Sequence, residues 1–335
     1  MVEISYYQLS VTIGLFNKIN AKTKTRNRVI IMIYINLEGR IGNNLWQVAA
    51  AATLAERLGE GFVAVPNPYY HCPEPDNCPF TDYIKPYKKT IFRNVRFEDA
   101  FPADCYRYEV ETDLNSIQSL PVKNVRLEGY FQNIHYVSER IIQHLFIPSC
   151  VEMITKLRAK YPMLDKKNTC AIVVRRGDYV RLPLKFPVED MAYYRKCMRI
   201  MEKRLHTKDI HYLVISDDNK WCKSHFTGES FTIVPHADPL TDLYVASLCK
   251  HQIISNSSFA QWGALLNVNP NKIVLYPSPW MGIGNRRLDI HGEGMPQQWI
   301  QVRHYSKAYM HGVLLYLYYG ICKHIKQLYR RLLNI

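Results

Sequence analysis

Five short β-rich runs follow one another in the second half of the chain: TCAIVV (169–174), IHYLVIS (210–216), FTIV (231–234), HQIIS (251–255) and KIVLY (272–276). Residues with a helical pattern separate each run from the next. Near-continuous apolar strands joined by helical crossovers build a parallel sheet, because both faces of such a sheet have to be covered. The reading is a Rossmann-like domain over 165–295. Ligands of sheets of this kind bind beyond the carboxyl ends of the strands, so the residues that follow each run are the ones to inspect.

The first half repeats the theme less regularly. From Ile30 to Leu58 the chain reads as a strand, a glycine corner (GRIGNN, 39–44) and a helix rich in alanine and leucine. Gly39 and Gly42 allow a tight turn, Asn43 sits where its amide can point from the helix start into an interdomain cleft, and the alanines at 49–52 allow close packing on the sheet. NVRLEGYFQN (124–133) reads as a strand leading into a helix from about His135 to His144, and a further helix is expected from Val151 to Tyr161. Residues 66–110, rich in proline and tyrosine, have no period from which strands can be placed. The expected organisation is a flexible extension at 1–28, an α/β domain at 29–164, the Rossmann-like domain at 165–295 and a basic amphipathic helix at 296–335. Met32, inside the first strand, is a candidate start.

The formal charge of +14 raises the question of nucleic acid, which its distribution answers. Residues 1–31 carry a net +4 and residues 294–335 a net +6 with no acid, so the middle of the chain holds only +4. The excess is terminal, with no extended central basic stripe and no aromatic residues interleaved with one, and a nucleic-acid partner is not expected. Nine cysteines are scattered singly. An odd number in a chain of this length argues against a disulfide framework and for a reducing, cytoplasmic compartment. Cys72 and Cys78 lack a second Cys/His pair that would complete a tetrahedral metal site. The sequon Asn256-Ser257-Ser258 has a different reading, given next.

Three strand ends carry chemistry. After AIVV come Arg175, Arg176, Gly177 and Asp178; the planar fork of arginine suits a phosphate or pyrophosphate. After HYLVI come Ser216, Asp217 and Asp218, whose carboxylates suit ribose hydroxyls or a guanine edge. After HQIIS come Asn256, Ser257, Ser258 and Phe259 at the start of a helix, where backbone N–H groups attract an anion. Each corner alone is ordinary, a surface ion pair or a helix cap. Together, at one end of consecutive parallel strands, they suit a nucleoside diphosphate. Asp178 is open between orienting an arginine and acting as a base, and Arg176 is the expected principal phosphate ligand with Arg175 as its support.

At these positions the chain resembles glycosyltransferase family 11, the α-1,2-fucosyltransferases, over about residues 30–285. GRIGNN stands for the family's GRLGNQ-type corner, VVRRGDY for its HxRRGDY block, SDD followed by WCK for the next, and DLYVASLCKHQIISNSSFAQWGALL for the block around its NSSF-type turn. The departures are Asn44, Val173 in place of the histidine, and Ala260 and Gln261 after NSSF. The resemblance implies a GT-B-like α/β architecture of two facing Rossmann-like domains with parallel sheets. It implies GDP-β-L-fucose as donor, the 2-hydroxyl of a galactose-terminated glycan as acceptor, inverting transfer, and neither cofactor nor essential metal. It assigns catalysis to Arg175, Arg176 and Asp178, and donor binding to Asn43, Arg176, Ser216, Asp217, Asp218, Asn256, Ser257, Ser258 and Phe259. A GDP-sugar transferase of other linkage or acceptor is the alternative within the same architecture.

Leu314, Leu317, Tyr318, Ile321, Ile325, Leu328 and Leu332 recur at helical spacing near the acid-free C-terminus, with Lys323, Lys326 and Arg330 on another face. Two uses suit this pattern: a helix docked on the first domain, or one lying on the inner face of the membrane beside a lipid-linked acceptor.

Overall fold

The computed structural model describes residues 31–67, 83–110, 112–147, 151–236, 238–288 and 293–332. The 1–28 extension and the Cys72/Cys78 loop lie outside the described residues.

Two parallel sheets form the architecture, the GT-B-like arrangement expected. The first contains β1 (Met32–Leu37), β2 (Gly61–Pro66), β3 (Tyr106–Arg107) and β4 (Asn124–Leu127) in the order β2-β1-β4-β3, all parallel. Helix α1 (Ile41–Leu58) crosses from β1 to β2, and its Ala49–Ala52 stretch is buried as the sequence suggests. A short α2 (Lys85–Lys88) precedes β3. After β4 the structure departs from the expected single helix at 135–144: a turn of 3-10 helix, Ile134–Tyr136, is followed by α3 (Glu139–Ile141), which widens into a π-helix at Ile142–Phe146. Ser138 caps α3 by accepting the Ile141 N–H at 3.2 Å, which fixes this later start. Then α4 (Val151–Lys160) leads to the second sheet.

That sheet contains β5 (Thr169–Val174), β6 (His211–Ser216), β7 (Phe231–Ile233), β8 (His251–Ile254), β9 (Val274–Ser278) and β10 (Ile300–Arg303) in the order β10-β9-β8-β5-β6-β7, again all parallel. Its crossover helices are α5 (Met191–Leu205), α6 (Asn219–His225), α7 (Pro239–Leu248) and α8 (Ser258–Leu265), and the chain ends in α9 (Lys307–Leu332). The boundary expected at 295 is therefore too early, since β10 still belongs to the sheet. IQVR is short and half exposed, without the apolar continuity of the inner strands, because an edge strand has one partner and less to bury. Helix α4, expected with the first domain, packs against α7 of the second.

Strand β5 shows how the layers form. Cys170, Ile172 and Val174 enter one core with Tyr193, Tyr194 and Tyr212, while Ala171 and Val173 enter the other, the period of two that a pleated strand imposes. Val173 is thus a core residue. Cys170, Cys197, Cys222 and Cys249 are free and buried, and burial pushes the Cys197 thiol up to about 12 and the Cys222 thiol up to about 11.

The second of β5's two cores is continuous between the domains. It passes through α1 and α8, where Trp46 meets Trp262 edge-on at 5.3 Å and Trp262 meets Phe146 at 5.2 Å. The indole N–H of Trp46 donates to Gln261 Oε1 at 3.1 Å, both groups fully buried. Gly39 adopts φ +81°, and at Gly42 an added Cβ would lie 2.4 Å from the backbone nitrogen of Phe259. The two helix starts can touch only because Gly42 has no side chain.

Helix propensity and packing predict opposite outcomes for Gly42→Ala. Propensity alone would stabilise α1 by about 1 kcal/mol, whereas overpacking against Phe259 should destabilise by about 1–3 kcal/mol. Urea denaturation is expected to show the loss as a lower midpoint.

Candidate functional site

The carboxyl ends of β5 and β6 lie side by side, and the two motifs that follow them interlock. Arg175 donates through Nη1 to Asp217 Oδ2 at 2.5 Å and through Nη2 to Asp178 Oδ1. Its guanidinium also lies 5.0 Å from the centre of the Tyr179 ring, which stacks on Phe186 at 4.6 Å. Burial pushes the Tyr179 hydroxyl up to about 12. Asp217 uses its other oxygen to accept the Arg176 backbone N–H at 2.9 Å. Gly177 is required here for space, because a Cβ at that position would come within 2.4 Å of Asp217 Oδ2.

Arg176 is held differently. Its Nε donates to Asp218 Oδ2 at 3.0 Å and its guanidinium lies over the Trp221 ring at 4.4 Å. Neither of its Nη groups has a hydrogen-bond partner among the described residues. Asp218 in turn caps α6 by accepting the Trp221 N–H at 3.0 Å, and its own N–H donates to Ser216 Oγ at 2.9 Å. Burial would raise the Asp218 carboxyl, but the Trp221 N–H and the Arg176 guanidinium outweigh it and hold the group below the usual carboxylate range.

The third corner faces α1. Ser258 Oγ donates to Asn43 Oδ1 at 2.6 Å, and Gln132 Nε2 donates to the same oxygen at 3.0 Å. Asn43 therefore does reach across from the first domain, as its place in the glycine corner suggested. Asn256 lies deeper: its Nδ2 donates to the carbonyls of Pro187 and Trp280 at 2.9 and 3.1 Å. Buried in this way, it braces the loops beneath the corner, and the sequon it heads is inaccessible. Ser257 is buried as the N-cap residue of α8, and Phe259 is half-buried against Gly42.

The structure thus brings the expected residues to one face, with a difference in use. Both oxygens of Asp217, and both of Asp218, already accept hydrogen bonds from the chain, so these carboxylates fix the arginines and the start of α6. Asp178 likewise orients Arg175. Sequence reasoning missed Gln132, Tyr179 and Phe186; the first falls beyond the end of β4, in the irregular turn where a continuing strand was expected, and the other two are recognisable only once the loop closes on itself. Of the departures from the family pattern, Asn44 is buried and donates to Glu38 O at 3.1 Å and to Gln47 Oε1 at 3.2 Å, while Gln261 serves Trp46.

Asp218→Ala should release Arg176 and uncap α6. Loss of a helix cap costs about 0.5–2 kcal/mol, and because the carboxyl lies below its ordinary range this contribution is present above about pH 4 and fades as pH falls through the lower folded value. Thermal melts of parent and variant should separate at neutral pH and draw together as the pH falls below the ordinary carboxylate range.

Residues 3–282 match the glycosyl transferase family 11 profile. The O-antigen biosynthesis glycosyltransferase WbnK of Escherichia coli is 34% identical over 38% of this chain and 44% of its own length. An Escherichia coli α-1,2-colitosyltransferase is 26% identical over 58% and 69% of the two chains, and the galactoside 2-α-L-fucosyltransferase SEC1 of Bos taurus is 25% identical over 69% and 63%. The chain thus spans between about half and two thirds of the length of these relatives. Among solved structures, the fucosyltransferase NodZ from Bradyrhizobium aligns with a TM-score of 0.45 at 14% identity, over 71% of this chain and 93% of that one. On the match over most of its length, and on the four motif blocks that converge between its domains, the chain belongs to glycosyl transferase family 11.

Proposed function

We propose that the chain transfers L-fucose from GDP-β-L-fucose to the 2-hydroxyl of a terminal galactose, with inversion. The observation that carries this reading is the division of labour between the two arginines. Arg175 is engaged through both Nη groups by Asp217 and Asp178, whereas Arg176 is fixed through Nε and leaves its terminal fork to a ligand. In an inverting transfer the acceptor hydroxyl attacks the anomeric carbon from the face opposite the nucleotide, and negative charge grows on the departing β-phosphate. A fork held in place before the reaction stabilises that charge without reorganising. In this reading neither a cofactor nor a metal takes part, Asn43 and Ser258 keep the two domains in register across the cleft, and Asp178 serves as an orienting group.

The relatives favour this chemistry: one is named as a galactoside 2-α-L-fucosyltransferase and another as an α-1,2-colitosyltransferase. Both names share the α-1,2 linkage and differ in the sugar moved, so the test uses labelled GDP-fucose and a colitosyl donor with a panel of β-galactosides and determines the linkage of each product. Fucose at a position other than the 2-hydroxyl would replace the proposed linkage.

Membrane contact belongs to the same proposal. Leu314, Leu317, Tyr318, Ile321 and Ile325 are all more than half exposed on α9. The helix docks on the second domain, not the first: Asp190 Oδ2 accepts the Lys307 N–H at 3.1 Å, and Gly312 packs against the carbonyl of Pro183. Among the described residues no helix is long and apolar enough to cross a membrane. An exposed apolar face with Lys323 and Lys326 and no acid suits an anionic lipid surface, which would hold a cytoplasmic enzyme near a lipid-linked acceptor.

Arg176→Ala should abolish detectable GDP binding in calorimetric titration and lower transfer by on the order of 10²-fold or more. Unchanged affinity in the folded variant would remove Arg176 from the donor site. The full chain should float with anionic vesicles and not with neutral ones, and a chain ending before Lys323 should lose that binding. Equal flotation of both chains would leave α9 only its packing role.

A further inference from the structure

Between the arginine corner and the start of α5 the chain closes a loop, residues 177–190, whose middle residues take no part in the chemistry proposed above. It opens with a turn of 3-10 helix, Gly177–Arg181, in which the Val180 N–H donates back to the Arg176 carbonyl at 3.1 Å. Further on, Phe186 returns to stack on Tyr179 with ring centres 4.6 Å apart, and its N–H donates to the Leu182 carbonyl at 2.8 Å. This near end of the loop sets Arg175: the Asp178 carboxylate takes one Nη group, and the Tyr179 ring lies 5.0 Å from the guanidinium.

The far end is clamped backbone to backbone. The Gly282 N–H donates to the Lys185 carbonyl at 2.9 Å, and the Gly284 N–H to the Leu184 carbonyl at 2.8 Å. A Cβ at Gly282 would lie 2.4 Å from Leu184 O, and one at Gly284 2.9 Å from it. Helix α9 adds a third contact, because a Cβ at Gly312 would lie 2.5 Å from the carbonyl oxygen of Pro183 and 3.5 Å from the Leu184 Cα. Asp190 fastens the start of the same helix: its Oδ2 accepts the Lys307 N–H at 3.1 Å, and its Oδ1 lies 2.9 Å from His304 Nε2. Backbone does not yield as the end of a flexible side chain does, so a methyl group at Gly312 has to displace residues 183–184 or the helix that holds them. Gly320, two turns further along α9, has open space around it.

A displacement at Pro183 has a short route to the corner. Phe186 follows the clamped residues directly, Tyr179 stacks on Phe186, Arg175 lies on Tyr179, and Arg175 shares Asp217 with the backbone N–H of Arg176. A misplacement of about 1 Å is enough to cost a preorganised site much of its advantage. We infer that Gly312 of α9, together with Gly282 and Gly284, is a positioning residue of the donor site: it fixes residues 183–186 and, through the stack of Phe186 on Tyr179, the two arginines. The first turns of α9 thus support the donor corner, and the later turns carry the exposed apolar face. The inference rests on the transferase reading above and assigns its donor site a support outside the second sheet.

The test measures GDP affinity of the full chain by calorimetric titration, with the melting temperature alongside. Gly312→Ala should lower GDP affinity by about tenfold, and Gly320→Ala should leave it within about twofold of the parent. Alanine favours a helix over glycine at both positions, so the contact with Pro183 is what separates the two. Phe186→Ala should also lose about tenfold, whereas Phe186→Tyr, which keeps the stacked ring, should bind as the parent does. A role in folding alone would move the melting temperature without this pattern. In the double variant Gly312→Ala/Phe186→Ala the losses should overlap and stay near about tenfold, because both act along one route; independent effects would multiply to about a hundredfold. Parent-like affinity in folded Gly312→Ala, parent-like affinity in Phe186→Ala, or losses that multiply would each overturn the inference alone. A parent that binds no GDP has a different signature and would overturn the transferase reading along with it.

Discussion

The close approach of two helix starts, α1 at Gly42 and α8 at Phe259, is the constraint on which the rest of the structure depends. Helix α1 belongs to the first sheet and α8 to the second, and a side chain at Gly42 would drive them apart. Because they touch, Asn43 can accept from both Ser258 and Gln132, and Trp46 can meet Trp262 edge-on while donating to Gln261. Polar contacts at the mouth and an aromatic core behind it fix the angle of the two domains. Buried aromatic pairs in edge-on contact add to the area they bury, and a buried indole N–H would be costly without an acceptor. The glutamine that departs from the family pattern at 261 supplies that acceptor.

The corner at the ends of β5 and β6 depends on carboxylates that act through arginines. Two guanidinium groups side by side repel each other, and three carboxylates around them compensate this charge and set their geometry. The compensation is unequal, which gives the site its direction. Arg175 is bound on both Nη groups, and Arg176 is bound on the inner side of its fork and stacked on Trp221. A planar, delocalised cation can be held by Nε and by its face while its Nη groups stay available; a lysine could not divide its charge in this way.

The same logic, with the signs changed, governs a cavity at the carboxyl end of the first sheet. There a single nearly buried carboxylate, Glu128, gives one oxygen to Arg107 and the other to Arg126. Glu38, Gly39 and Asn43 form a short link between this cavity and the interdomain corner.

The amino-acid sequence alone determined the second parallel sheet, its crossover helices and the three corners at its carboxyl edge, because these follow from local patterns. β-rich runs fall between helical periods, and glycine, arginine and aspartate stand at the strand ends. It also marked Asn43, since a glycine corner before an alanine-rich helix leaves little else for that amide to do. Tertiary structure alone decided how the charges are used. That Asp217 and Asp218 bind arginines, that both Nη groups of Arg176 stay without a partner among the described residues, and that Glu128 reaches Arg107 are relations between residues far apart in the chain, to which local periodicity carries no reference. The irregular turn after β4, the edge strand β10 and the docking of α9 on the second domain share that cause: each is set by what a neighbouring element leaves to be buried or hydrogen-bonded, and that neighbour exists only once the chain has folded.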